Sequence, residues 1–114
     1  LLSDVLLAKI AKKISSYVGE SGLPVRSAGD EFLILLPDVE RNIAGEIAEK
    51  IRQGVEKLRF VSSKSGTRLP PMTLSIGVSD YNVATSANAI IKQPRALIND
   101  ISQTLTNHVN IASS

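Results

Sequence analysis

The sequence predicts one domain of the α/β (α+β) class, because segments with helical periodicity alternate with segments that have the character of β-strands. Apolar residues recur every three or four positions in segments 3–18 and 43–58, which predicts two amphipathic helices. Segment 32–36 is apolar throughout and segment 72–78 alternates, which predicts two strands. The 114 residues, of which 43% are hydrophobic, suffice for one modest core.

The first half of the chain is predicted to form a helix, a loop and a hairpin. Ser3 or Asp4 is the expected cap of the first helix, and residues 19–24 (GESGLP) have the composition of a loop. A short strand is expected from Val25. Residues 28–31 would then form the hairpin connection to the apolar strand.

The second half is less regular. The second helix is expected to reach Leu58 despite two internal glycines, and the polar stretch 62–71 is expected to be a loop. A last helix is expected to begin at Pro94, before a polar tail. Its apolar face would consist of Leu97, Ile98, Ile101 and Leu105.

Composition excludes several classes of function. The chain has no cysteine and one histidine, His108, which excludes disulfides and thiolate metal sites and argues against zinc chemistry. The net charge of +2 comes from scattered residues, and aromatic residues make up 4% of the chain, so we expect no nucleic-acid partner. No run approaches the roughly 18 apolar residues that span a bilayer. We expect a cytoplasmic domain without membrane contact. Since the chain starts at Leu1, we expect it to be cut from a longer protein, membrane-anchored or not.

Two adjacent carboxylates, Asp30 and Glu31, stand directly before the apolar strand. Neighbouring side chains of an extended strand point to opposite faces, so the two acids cannot hold one ion in the same way. A magnesium site for nucleotide phosphates uses one or two carboxylates, and Asp38 or Asp80, which each follow a strand, are candidates for a second acid. The alternative is that the pair consists of solvated turn residues.

Three segments resemble one protein family. Residues 26–37 (RSAGDEFLILLP) look like the signature of GGDEF-family diguanylate cyclases. Residues 73–78 (TLSIGV) are similar to the family's "TVSIGV" strand, and residues 3–6 (SDVL) resemble its "GDxVL" helix start. These motifs occur in the family's order and spacing between Ser3 and Ser79.

The resemblance implies a fold and a reaction. The fold is a central, mainly antiparallel sheet flanked by helices, related to nucleotide cyclase and polymerase palm domains. The reaction is bacterial signalling chemistry, in which two GTP molecules, one on each domain of a homodimer, condense to cyclic di-GMP. By position, Asp30 would ligate Mg²⁺ or Mn²⁺, and Glu31 would orient or deprotonate the attacking 3′-hydroxyl.

The resemblance also assigns nucleotide-binding positions. Gly29 and Ala28 would let the backbone approach the nucleotide, and Asp4 would contact the guanine edge. Asp4 is equally well explained as a favourable negative charge in the first turn of a helix. Arg26 would contact a phosphate or have a structural role. The alternative is that its side chain lies in solvent.

The sequence departs from the family in four respects. Ala28 replaces the first glycine of the signature, and residues 19–22 lack the Arg-x-x-Asp of the family's product site. The family's first strand, with its second metal-binding aspartate, would precede Leu1. Segment 99–110 contains no lysine or arginine to face a triphosphate.

These departures leave two functions open. The first is a diguanylate cyclase that is active in its full-length parent, whereas this chain alone would be inactive. The alternative is a degenerate GGDEF domain that binds GTP or a partner domain. Such a domain would regulate a neighbouring cyclic di-GMP phosphodiesterase or another output module.

Overall fold

The fold is known from a computed structural model, which describes residues 4–28, 31–62, 64–69, 72–82, 84–104 and 107–113. The described part contains three helices, four strands and one turn of 3-10 helix (Gly19–Ser21). In chain order they are α1 (Asp4–Val18), β1 (Leu23–Ala28), β2 (Glu31–Leu35), α2 (Arg41–Glu56), β3 (Ile76–Val78), α3 (Ala87–Thr104) and β4 (Val109–Ile111). The mixture of helix and sheet confirms the predicted class.

The described strands form two ladders of two strands each. Strands β1 and β2 form an antiparallel hairpin, with Leu23 opposite Leu35 and a register shift between Arg26 and Ala28. Strands β3 and β4 pair in parallel, and Ile76 lies opposite Val109. Parallel pairing needs a crossover connection, which α3 provides.

The hydrophobic core lies between α1 and α2. The four-residue spacing of Ile10, Ile14 and Val18 places all three on one face of α1, as predicted, and each is at most 3% exposed. Ile51 and Val55 face them from α2. Phe60, which follows α2, completes the cluster at 3% exposure.

The last helix begins earlier than the sequence pattern suggested. It starts at Ala87, so Pro94 lies inside it and the prediction of a start at Pro94 was wrong. Ser86 caps the helix: its Oγ accepts a hydrogen bond from the Ala89 N–H (3.1 Å), and its carbonyl accepts one from the Ile90 N–H (3.0 Å). The cap satisfies backbone groups of the first turn and fixes the helix start.

Two strand predictions also need correction. The polar tail contains strand β4, which the sequence pattern did not indicate. Strand β3 covers only Ile76–Val78, although alternation was expected from Met72. Its N-terminal end is set by pairing, since the Ile76 N–H donates to the His108 carbonyl at 2.9 Å. Long-range pairing, and not alternation alone, decides where this strand begins.

None of the helices that the structure describes is both long and apolar enough to cross a lipid bilayer.

Candidate functional site

A groove of about 1240 Å³ runs between β2, α2, α3 and the segment around β3. Most of its lining is apolar and comes from the inner faces of these elements. Its charged lining residues are Glu31, Asp38, Glu40, Arg41, Asp80 and Arg95. Glu31 of the predicted acidic turn therefore lines a large groove, which is the kind of feature where ligand sites commonly lie.

Glu31 and Arg95 form an ion pair across this groove. The Arg95 Nε donates to Glu31 Oε1 at 2.8 Å, and its Nη2 donates to Oε2 at 2.7 Å, so the contact is bidentate. The pair joins the first residue of β2 to α3, across 64 positions of sequence. The hydrogen bonds from Arg95 to the Glu31 carboxylate raise the pKa of the guanidinium above its ordinary value.

Gly77 explains how α3 comes close enough for this contact. A Cβ at position 77 would collide with the Pro94 carbonyl oxygen and would lie 3.0 Å from the Leu97 Cβ. Only a residue without a side chain lets the helix backbone approach β3 so closely. Asn110 of β4 also holds the helix, by donating from Nδ2 to the Leu97 carbonyl at 3.1 Å. The glycine of the TLSIGV motif thus places Arg95.

A second ion pair connects two other lining segments. The Arg41 Nη1 lies 3.4 Å from Asp80 Oδ2, although the Asp80 side chain is 62% exposed. Asp80 is one of the acids that the sequence offered as a second metal ligand. Asp38, the other, ends the β2 segment with a positive φ of 60°, a left-handed conformation that aspartate tolerates.

The carboxylate oxygens of the lining are the ligand type that Mg²⁺ prefers. Within the described ranges, however, no three acidic or histidine side chains converge as a ready-made metal site. The chemistry of these carboxylates therefore fits a magnesium ion. The carboxylates that the structure describes are, however, spread along the groove.

The predicted site residues are only partly described. Glu31 is placed at the start of β2, with 26% of its side chain exposed. Asp30 and Gly29 lie outside the described residues. The backbone of Ala28 pairs with Glu31, but the side chains of Ala28, Arg26 and Asp4 also lie outside the described part.

Sequence reasoning missed Arg95. The sequence-based expectation concerned cations in segment 99–110. Arg95 lies just before this segment, one residue after the proline that was predicted to start the last helix. A single arginine in a helix is a weak signal, because most such residues are solvated. Nothing in the sequence pairs it with Glu31.

Comparison with known proteins identifies the family. A family model described as "Diguanylate cyclase, GGDEF domain" matches residues 1–108. This chain belongs to the GGDEF domain family. The match includes the acidic turn, the groove and α3, so Glu31 and Arg95 both lie within the GGDEF domain.

Curated relatives have the same domain within longer chains. Diguanylate cyclase A of Treponema denticola is 30% identical over 112 residues, which are 97% of this chain and 29% of the relative. Response regulator PleD of Caulobacter vibrioides is 36% identical over 78 residues, 68% of this chain and 17% of that protein. The chain thus spans less than a third of either relative.

Solved structures confirm the GGDEF fold. The diguanylate cyclase SiaD of Pseudomonas aeruginosa, in complex with its activator SiaC, matches with a TM-score of 0.86 at 27% identity. That match covers 96% of this chain and 41% of SiaD. The GGDEF domain of DgcB from Caulobacter crescentus, in complex with c-di-GMP, gives a TM-score of 0.89 over 97% of this chain and 65% of that one. At 20% identity, the DgcB match shows the fold alone.

Proposed function

We propose that this GGDEF domain is the catalytic domain of a diguanylate cyclase, which condenses two GTP molecules to one cyclic di-GMP with release of two pyrophosphates in its parent protein. The observation that carries the proposal is the family match over residues 1–108, with Gly-Asp-Glu-Phe unchanged at the entry to β2. The curated relatives named as diguanylate cyclases favour this function over the degenerate alternative.

Each residue of the acidic turn has a proposed role. Diguanylate cyclases of this family use GTP and a divalent metal ion in general. Asp30 would hold the metal, which stabilises the charge that develops in phosphoryl transfer when it is bound. Glu31 would orient or deprotonate the attacking 3′-hydroxyl of GTP. Gly29 and Ala28 would form the backbone surface against the nucleotide, with Asp4 at the guanine edge and Arg26 near a phosphate.

The two ladders of the described structure leave room for a further strand. Among the described residues, β2 pairs only with β1 and β3 pairs only with β4, so the groove lies between two ladders that share no hydrogen bonds. A further strand in this groove would bring the second metal-binding aspartate close to the acidic turn. A homodimer would then bring two GTP molecules together.

The test uses the parent protein, incubated with GTP and Mg²⁺ and analysed for cyclic di-GMP by chromatography. We expect product from the parent and a loss of about 100-fold or more in Asp30→Ala, because metal coordination contributes several kcal/mol and each 1.36 kcal/mol is tenfold in rate. Glu46→Ala removes an exposed acid of α2 and is the matched control, for which full activity is expected.

Two results would contradict the proposal. One is the absence of product from folded parent protein. The other is equal product from the parent and from Asp30→Ala. GTP binding without turnover, together with a changed activity of a neighbouring domain, would instead support the degenerate alternative.

A further inference from the structure

Both carboxylate oxygens of Glu31 are held by one guanidinium. The two hydrogen bonds of 2.8 and 2.7 Å run in parallel from the planar fork of Arg95. A carboxylate that meets such a fork is fixed in position and also in the orientation of its plane. A single contact to a lysine would leave that plane free to rotate.

This contact leaves Glu31 with accepting capacity. An ionised carboxylate has about four lone-pair sites on its two oxygens, and the fork uses one on each oxygen. The side chain is 26% exposed and belongs to the groove lining, so a ligand in the groove can reach its carboxylate. Glu31 can therefore be held by Arg95 and accept a hydrogen bond from a hydroxyl at the same time.

Arg95 itself lies on a helix that is anchored on two strands. Its helix is held against β3 by the close contact at Gly77, and β4 holds it through the bond from Asn110 to the Leu97 carbonyl. The Ser86 cap fixes the helix start. The guanidinium therefore extends from a helix whose start and whose position on β3 and β4 are fixed by these contacts, although 44% of the Arg95 side chain is exposed. Catalytic geometry depends on such supports.

We propose that Arg95 is a positioning residue, which holds the carboxylate of Glu31 in the orientation needed to receive the attacking 3′-hydroxyl of GTP. The inference rests on the proposed cyclase function and assigns a part of the site that the signature motif does not contain. In this proposal Arg95 acts through Glu31 and not through contact with the reacting atoms.

The kinetic test compares Arg95→Gln and Arg95→Lys with the wild-type parent protein. In Arg95→Gln we expect kcat to fall about 10- to 100-fold while the KM for GTP stays within about threefold, since a misplacement of about 1 Å can cost 100-fold in rate. Arg95→Lys keeps the charge but not the fork, so it should recover only part of the activity.

The matched control is Lys92→Gln. Lys92 is exposed on the same helix, three residues before Arg95, and its replacement removes the same charge. Its kcat and KM should equal the wild-type values. Urea unfolding of all three variants separates an effect on the site from an effect on the fold, because an ion pair this exposed contributes little to stability.

A second readout does not depend on turnover. The Arg95 Nε–H signal in ¹H–¹⁵N spectra of the parent protein should be shifted and protected from exchange. Glu31→Gln should remove both properties. If the wild type forms no cyclic di-GMP, the proposed function fails, and this signal then decides whether the contact exists in solution.

Three results would overturn the inference while leaving the cyclase function intact. A raised KM with unchanged kcat in Arg95→Gln would make Arg95 a phosphate-binding cation. Unchanged kcat and KM would show that the orientation of Glu31 does not depend on Arg95. A freely exchanging Arg95 signal in an active enzyme would show that the pair does not persist.

Discussion

The core between α1 and α2 and the groove beside it are held together by different interactions. Every buried side chain that the structure describes in the core is apolar, and Val55 at its centre is fully inaccessible to solvent. The groove is lined in part by the same apolar core residues, and in addition it has charged residues from β2, α2, α3 and the segment after β3, joined in the pairs Glu31–Arg95 and Arg41–Asp80.

This difference separates stability from function. Buried apolar side chains contribute most of the folding free energy, whereas exposed ion pairs contribute at most about 1 kcal/mol each. The core should therefore determine whether the domain folds. The groove pairs should determine where side chains lie once it has folded, and substitutions in the two regions should affect different measurements.

The largest effect on stability is expected from Ile10→Ala. Ile10 is 2% exposed in the centre of the core, and its truncation removes apolar contacts and leaves a cavity. We expect the free energy of unfolding to fall by about 2 to 5 kcal/mol, measured by urea titration.

Ile43→Ala is the control for this change. It makes the same substitution in α2 at a position that is 48% exposed, so its effect should stay within about 0.5 kcal/mol. Equal losses in the two variants would contradict the location of the core between α1 and α2.

An intermediate effect on stability is expected from Gly77→Ala, because Gly77 packs against α3 and also lines the groove. The added Cβ would collide with the Pro94 carbonyl, and a helix backbone cannot give way without moving α3. We expect a loss of about 1 to 3 kcal/mol in urea unfolding, together with exposure of the Arg95 Nε–H to exchange.

Gly54→Ala offers the matched comparison within α2. A Cβ there would lie 2.5 Å from the Tyr17 ring, which is 39% exposed and is the far end of a side chain that can rotate away. The gain of about 1 kcal/mol in helix propensity should offset that movement. Equal destabilisation by the two substitutions would mean that α3 does not pack against β3 through Gly77.

The core was predictable from the sequence, because its pattern is local. Ile10, Ile14 and Val18 recur every four residues, and this spacing alone places them on one helix face. The apolar run of β2 is equally informative, since it follows a turn and no helical pattern competes with it. Both features depend on residues close together in the chain.

The groove was less predictable, because its contacts are long-range. Strand β4 is formed by its parallel pairing with β3, and the polar tail has no alternating pattern that would predict it. The start of α3 depends on the Ser86 cap, whereas the apolar pattern after Pro94 indicated a later start. The Glu31–Arg95 pair joins residues 64 positions apart, so it becomes visible only after α3 is placed on β3.

The smallest effect is expected from a partly exposed ion pair outside both regions. Arg52 donates to Glu49 at 2.6 and 2.7 Å, and these hydrogen bonds lower the pKa of the Glu49 carboxyl from 4.5 to about 2. A carboxyl whose pKa is lower in the folded state stabilises the fold above the unfolded pKa. This contribution is lost as pH falls from about 4.5 towards 2.

Glu49→Gln should therefore destabilise the chain near pH 5 and have a vanishing effect near pH 2. The Glu49 side chain is 42% exposed, so solvent screening limits the difference to below about 1 kcal/mol. Thermal midpoints of the two proteins between pH 2 and 5 measure it, and added salt should reduce it. A difference that persists at pH 2 would mean that Glu49 acts through packing. The contribution of Glu49 would then come from packing, as it does for core residues, and the distinction between packing and charge would not hold at this position.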